Sequence, residues 1–202
     1  TQYRHRSVVA TLFLYSRVLG GTAAGWKGES MNTETIRMMA RYKAWSDKVM
    51  FNAIAALPEG EAVKPRVSLF KNMVHTLNHI YIVDRIWQGH LEGRDHGYEA
   101  RNTKDHPPLA DLWKVQQEVD KWFVGWSDSQ TDASIAETVN YTLIGGNQGT
   151  MTRGEIMLHV VMHANYHRGF VADMIYSVPG CRPPITDLPV FMREGRLEQV
   201  AV

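Results

Sequence analysis

The chain has 202 residues, 44% of them hydrophobic and 21% charged, which excludes a disordered or fibrous protein and a multidomain machine while leaving room for one well-packed domain. Twenty-two Lys and Arg against 21 Asp and Glu leave a net charge of +1, so no global field favours nucleic acid, and only a local basic patch stays open. A single cysteine, Cys181, excludes an intrachain disulfide and suits a reducing compartment, whereas nine histidines invite a search for a metal site.

Residues 1–30 read differently from the rest. A basic start, an apolar stretch over 8–19 and a Gly-rich segment follow the order of a secretory signal, but the apolar part is too short to span a bilayer. Three readings compete: an export leader, a vector-derived or upstream-translated extension, and a helix packed on the domain. The extension is favoured, because Met31 opens a self-sufficient helical pattern and the chain starts with Thr1.

From Met31 onward the pattern is helical. Asn32 and Thr33 are capping residues, Glu34 suits a first turn, and the run to Leu57 has no Gly or Pro before Pro58 and Gly60 stop it. A second helix is predicted over 68–91, ending near Gly93, and a third over 108–127 with Pro108 in its first turn. Residues 136–152 alternate at Val139, Tyr141 and Leu143 before Gly145 and Gly146, which predicts a hairpin or irregular excursion. Thr152 then caps a helix over 153–176, with Glu155 completing a capping box. Pro179, Pro183, Pro184 and Pro189 predict an extended tail. Four long helices with apolar stripes and no convincing sheet predict an all-α fold, an antiparallel four-helix bundle with a short excursion before the last helix.

The last helix carries the strongest chemical signal. At about 100° per residue, Ile156, Val160, His163, His167, Val171 and Met174 fall within an arc of roughly 80°, so both histidines point inward. Side chains at i and i+4 stand above one another and can reach one ion. His159 lies at the rim of the arc and suits a supporting donor better than a ligand. Helix two offers His75 and His79 at the same spacing. His79 shares a face with Ile82, Val83 and Ile86 and is the favoured third ligand, whereas His75 is flanked by Asn72 and Ser68.

Three histidines would leave a coordination position for water or substrate, as a catalytic site requires. The competing reading is a set of hydrogen-bonded core histidines, and spacing alone leaves both open. Neither His-Glu-x-x-His nor a Glu-x-x-His repeat occurs, so a zinc protease and a di-iron carboxylate bundle fit poorly. His5, His90, His96 and His106 read as solvated residues.

The segments 77–87 (Leu-Asn-His-Ile-Tyr-Ile-Val-Asp-Arg-Ile-Trp) and 159–169 (His-Val-Val-Met-His-Ala-Asn-Tyr-His-Arg-Gly) resemble the DinB/YfiT-like metalloenzyme family over residues 31–193. The resemblance implies a four-helix bundle that binds a divalent metal, commonly nickel or zinc, on His79, His163 and His167. It leaves residues 1–30 as an extension and 194–202 as a tail. The family often has Gln where this chain has Phe170, which removes any role attached to that amide. Characterised relatives include transferases and isomerases that use low-molecular-weight thiols.

Three functions follow as expectations. The first is a metal-dependent transferase or isomerase acting with such a thiol, Arg168 serving as a structural ion pair and Tyr141 lining the site mouth or simply packing. The second is a metallohydrolase, for which Asp84 is the only nearby base and is more simply an arginine's partner. The third is a non-enzymatic, stress-related protein with a structural ion, which would need a fourth ligand such as His75, His159 or Cys181. A small-molecule substrate, no nucleic-acid or membrane partner, a homodimer and a cytoplasmic location complete the expectation.

Overall fold

The structure is a computed structural model that describes residues 31–200, with side chains through residue 194. The readings of residues 1–30, His5 included, lie outside the described residues. Helix α1 (Thr33–Ala55) starts where its cap dictates: the Asn32 side-chain oxygen accepts the Thr35 N–H at 2.9 Å, and Glu34 occupies the first turn. Helix α2 (Met73–Glu92) begins five residues later than the spacing predicts. Lys71 adopts φ 67°, which a helix cannot include, and Asn72 then caps by accepting the His75 N–H at 2.7 Å. Gly93, at φ 66°, closes the helix in the left-handed conformation.

Helix α3 (Leu109–Asp128) follows Pro108, which sits at the cap rather than inside the first turn. A one-turn helix, α4 (Asp132–Ile135), has no counterpart in the sequence reading and is held by a Thr131/Ser134 capping box. Strands β1 (Thr138–Thr142) and β2 (Gln148–Thr152) form the predicted hairpin, pairing Tyr141 with Gly149. The glycine is required there, because a Cβ on Gly149 would lie 2.4 Å from the Tyr141 hydroxyl. Helix α5 (Arg153–Tyr176) opens with the predicted box: the Thr152 Oγ1 accepts the Glu155 N–H at 3.1 Å, and Glu155 Oε2 accepts the Thr152 N–H at 2.7 Å.

The tail corrects the sequence reading. Residues 179–187 are irregular, but α6 (Leu188–Val200) is helical, with Pro189 in a first turn where its missing N–H costs nothing. Phe191 anchors α6 against Tyr42 and Trp45, at ring distances of 5.7 and 5.6 Å.

The fold is mostly helical with one small sheet. Helix α1 packs on α3 and α5, and α2 packs on α5 and α3. Two apolar clusters result, one containing Ile36, Trp87, Phe123 and Val160, the other Met50, Leu77, Leu112 and Val171. Burying each such side chain contributes about 1.5–3 kcal/mol. The membership changes between Ile80 and Val83 on α2 and between Val161 and Ala164 on α5, so the clusters meet at the level of His79 and His163. No helix among the described residues is long and apolar enough to cross a membrane.

Candidate metal centre

Helix α2 delivers His79 and α5 delivers His163 and His167. One nitrogen from each lies within 4.8 Å of one from each of the others, so the group could hold a metal ion. The Arg101 carbonyl, which can only accept, lies 2.9 Å from His79 Nδ1; that nitrogen therefore carries the proton and Nε2 presents its lone pair. His79 Nε2 is 3.1 Å from His163 Nε2, a spacing that a hydrogen bond or a shared ion satisfies equally. The buried Nδ1 atoms of His163 and His167 have no hydrogen-bond partner among the described residues, and imidazole suits divalent transition metals. The donor set thus fits such an ion.

Electrostatics prepares the same donors. Burial, reinforced by His167 and His79, pushes His163 down to about 3, and burial together with His79 pushes His167 down to about 4. Burial also lowers His79, against the Arg101 carbonyl bond. All three are neutral at physiological pH, the form that ligation needs. In an NMR titration of metal-free protein, the His163 and His167 rings should show no protonation down to pH 5. Since the unfolded chain binds these protons near 6.5, their contribution to stability is complete above that pH. It is lost as the pH falls through about 4 and then 3.

Phe70, just ahead of α2, stacks on His79 at 4.4 Å and meets His167 edge-on at 5.4 Å. Sequence reasoning missed it, because nothing in the spacing of a pre-helical loop says that one of its aromatics folds inward. His75 stays outside the triad, its Nε2 lying 3.0 Å from the Thr103 carbonyl. His159 has no hydrogen bond to a triad nitrogen among the described residues; its ring meets Trp87 at 4.9 Å and His163 at 5.9 Å. Cys181 is half-buried beside the second apolar cluster and is not part of the triad. Phe170 packs near His167, 5.9 Å ring to ring.

The loop histidines are not simply solvated. His90, His96 and His106 are each half-buried, because the segment after Gly93 returns across α2. His90 and His96 meet edge-on at 5.3 Å, and His106 Nε2 lies 3.3 Å from Asn72 Nδ2. Gly89 permits this approach: a Cβ there would come within 2.9 Å of the His96 Cβ.

A second polar group lies in the same interior. Asp47, Asp84 and Asp120 are buried close together, and the Lys43 Nζ occupies their centre at 2.8, 2.7 and 2.7 Å. Asp84 is therefore the partner of a lysine, not of an arginine. Arg168 makes the expected structural ion pair, its Nη1 donating to Asp47 at 2.8 Å. Burial opposes the Lys43 charge, but Asp120, Asp47 and Asp84 outweigh it and hold its pKa well above the usual value. Burial raises Asp84, and it pushes Asp120 up to about 7 despite the neighbouring ammonium. Two cations facing three carboxylates leave one negative charge in excess, and the raised pKa of Asp120 is the direction that relieves it.

Comparison with known proteins agrees with this architecture. The DinB family model matches residues 31–198. The chain is 28% identical over 169 residues to Protein DinB of Bacillus subtilis (strain 168), a match covering 78% of this chain and 94% of that one. The crystal structure of a DinB-like protein from Bacillus cereus shares the fold with a TM-score of 0.59 at 13% identity, over 78% of this chain and 99% of that chain.

Proposed function

This chain belongs to the DinB family, and on that premise we propose that His79, His163 and His167 hold one divalent transition metal, nickel or zinc, for a transferase or isomerase reaction with a low-molecular-weight thiol. In this reading the four long helices form an antiparallel bundle and residues 1–30 are an extension of it. The observation that carries the proposal is the donor set: three imidazoles kept neutral by burial, with no carboxylate and no fourth donor in the group among the described residues. A bound ion would supply a positive charge that lowers the pKa of a thiol and so provides a nucleophile at neutral pH.

The chain's own residues prepare that site. The Arg101 carbonyl fixes the tautomer of His79, the Phe70 ring shields His79 and His167 from water, and the Arg168 to Asp47 bond holds α5 on α1 immediately beside His167. A hydrolase is less well supported, since Asp84, its candidate base, is buried against the Lys43 ammonium. A purely structural ion is less well supported too, since His75 is turned to the Thr103 carbonyl.

The test is spectroscopic, then chemical. Adding a thiol to cobalt-substituted protein should change its visible spectrum, the change should be absent in His167→Ala, and the thiol should then be transferred to an added electrophile. A spectrum indifferent to every thiol, with four protein donors on the ion, would replace the proposal with a structural metal.

A further inference from the structure

A cavity of about 240 Å³ opens beside the triad, between α2, α5 and the hairpin, and His163 belongs to its wall. Val83, Ile86 and Trp87 of α2 form one side, and Tyr141, Leu143 and Met151 of the hairpin form the other. Trp87 is buried and holds Tyr141 at a ring distance of 4.9 Å, while the absent Cβ of Gly149 leaves room for the Tyr141 ring. The walls are thus apolar and braced in place before any ligand arrives.

The cavity contains no acidic side chain. His159 and His163 contribute imidazole rings to its wall. The wall also carries Arg101. Its carbonyl is committed to His79, and its side chain is exposed at the cavity mouth with no carboxylate partner among the described residues. An apolar chamber whose wall carries one arginine and no carboxylate is complementary to a molecule with a hydrocarbon body and one negative charge.

We propose that this cavity is the subsite for a second substrate, a compact and mostly apolar organic anion, whose body packs against Trp87 and the hairpin and whose anionic group is paired by Arg101 beside His163. The inference builds on the thiol reading, because it assigns the second substrate of that reaction to an apolar carboxylate class. The volume favours a body of one ring.

Binding of benzoate and of its uncharged counterpart benzamide to the metal-loaded full chain, measured by calorimetry, tests it. Benzoate should bind more tightly. Arg101→Gln keeps the backbone carbonyl on His79, so metal content should persist while the preference for benzoate falls about tenfold. Leu143→Trp, at an exposed position on the hairpin that lines the cavity, should fill the chamber and abolish binding of both compounds at unchanged metal content. A preference unaltered in Arg101→Gln, or benzoate bound as well by Leu143→Trp as by wild type, would overturn the proposal. The two readings fail separately: a protein that loads metal and responds to thiols but ignores benzoate refutes this inference alone, and one that binds benzoate in the cavity without holding metal refutes the thiol reading alone.

Discussion

Replacing His163 by alanine should reduce the metal content of the purified protein from about one ion per chain to a trace, as measured by elemental analysis. The site draws one donor from α2 and two from α5, and His163 Nε2 faces His79 Nε2 at 3.1 Å. Its loss leaves two imidazoles on different helices. His79→Ala and His167→Ala should behave alike, whereas His106→Ala, whose ring touches Asn72 outside the triad, should retain its metal. An ion that binds only the folded chain at a thousand times its Kd stabilises it by about 4 kcal/mol. For a unit of this size that is roughly 8–16 °C in Tm, so chelation should lower the melting point of the wild type and leave that of His163→Ala unchanged. Full occupancy in His163→Ala would exclude the triad as the metal site.

Replacing Lys43 by methionine should produce the largest loss of stability of any single change at this interior. The methionine fills similar volume but removes the one ammonium that three buried carboxylates share. Leaving buried charge without its partner costs about 3–5 kcal/mol, a large part of the 5–15 kcal/mol that holds a domain together. Arg41→Met is the control. Arg41 also contacts an aspartate, Asp128, at 2.9 Å, but both are partly exposed and the pair is worth about 0–1 kcal/mol. Urea unfolding would separate the two outcomes, and a Lys43→Met midpoint equal to that of wild type would show that the network carries no such load. Exchanging Asp84 and Asp120 for apolar residues together with Lys43, with Asp47 kept as the partner of Arg168, should recover most of the loss, because the penalty lies in the uncompensated charge rather than in a missing contact.

These two changes also show what the sequence could and could not reveal. His163 and His167 were legible because a helix fixes the angle between i and i+4, and two inward imidazoles make a pattern that local geometry alone can read. Thr152 and Glu155 were legible for the same reason, as was the hairpin around Gly145 and Gly146. Lys43 and Asp47 have the same i, i+4 spacing, but in a sequence they look like any exposed ion pair on a helix. What buries them is Asp84 and Asp120, up to 77 residues away, and no local pattern contains that distance. The partner of Asp84 was misread on the same account, since a carboxylate does not announce which cation will reach it. The late start of α2 and the inward turn of Phe70 depend on how the loop after α1 returns, and its φ of 67° at Lys71 is not visible in composition.

The distances along the chain that hid Lys43 also govern the order in which the protein is made. Asp47 and Arg168 are separated by 121 residues, and His79 and His163 by 84. At about 5–20 residues per second, a ribosome adds Arg168 roughly 6–24 s after Asp47. Throughout that interval Asp47 lacks its guanidinium partner, and His79 has no partner imidazole on α5. The Asp47 to Arg168 pair and the three-histidine group are therefore completed only when α5 has been synthesised and docks, so any ion the histidines could hold must wait for that helix.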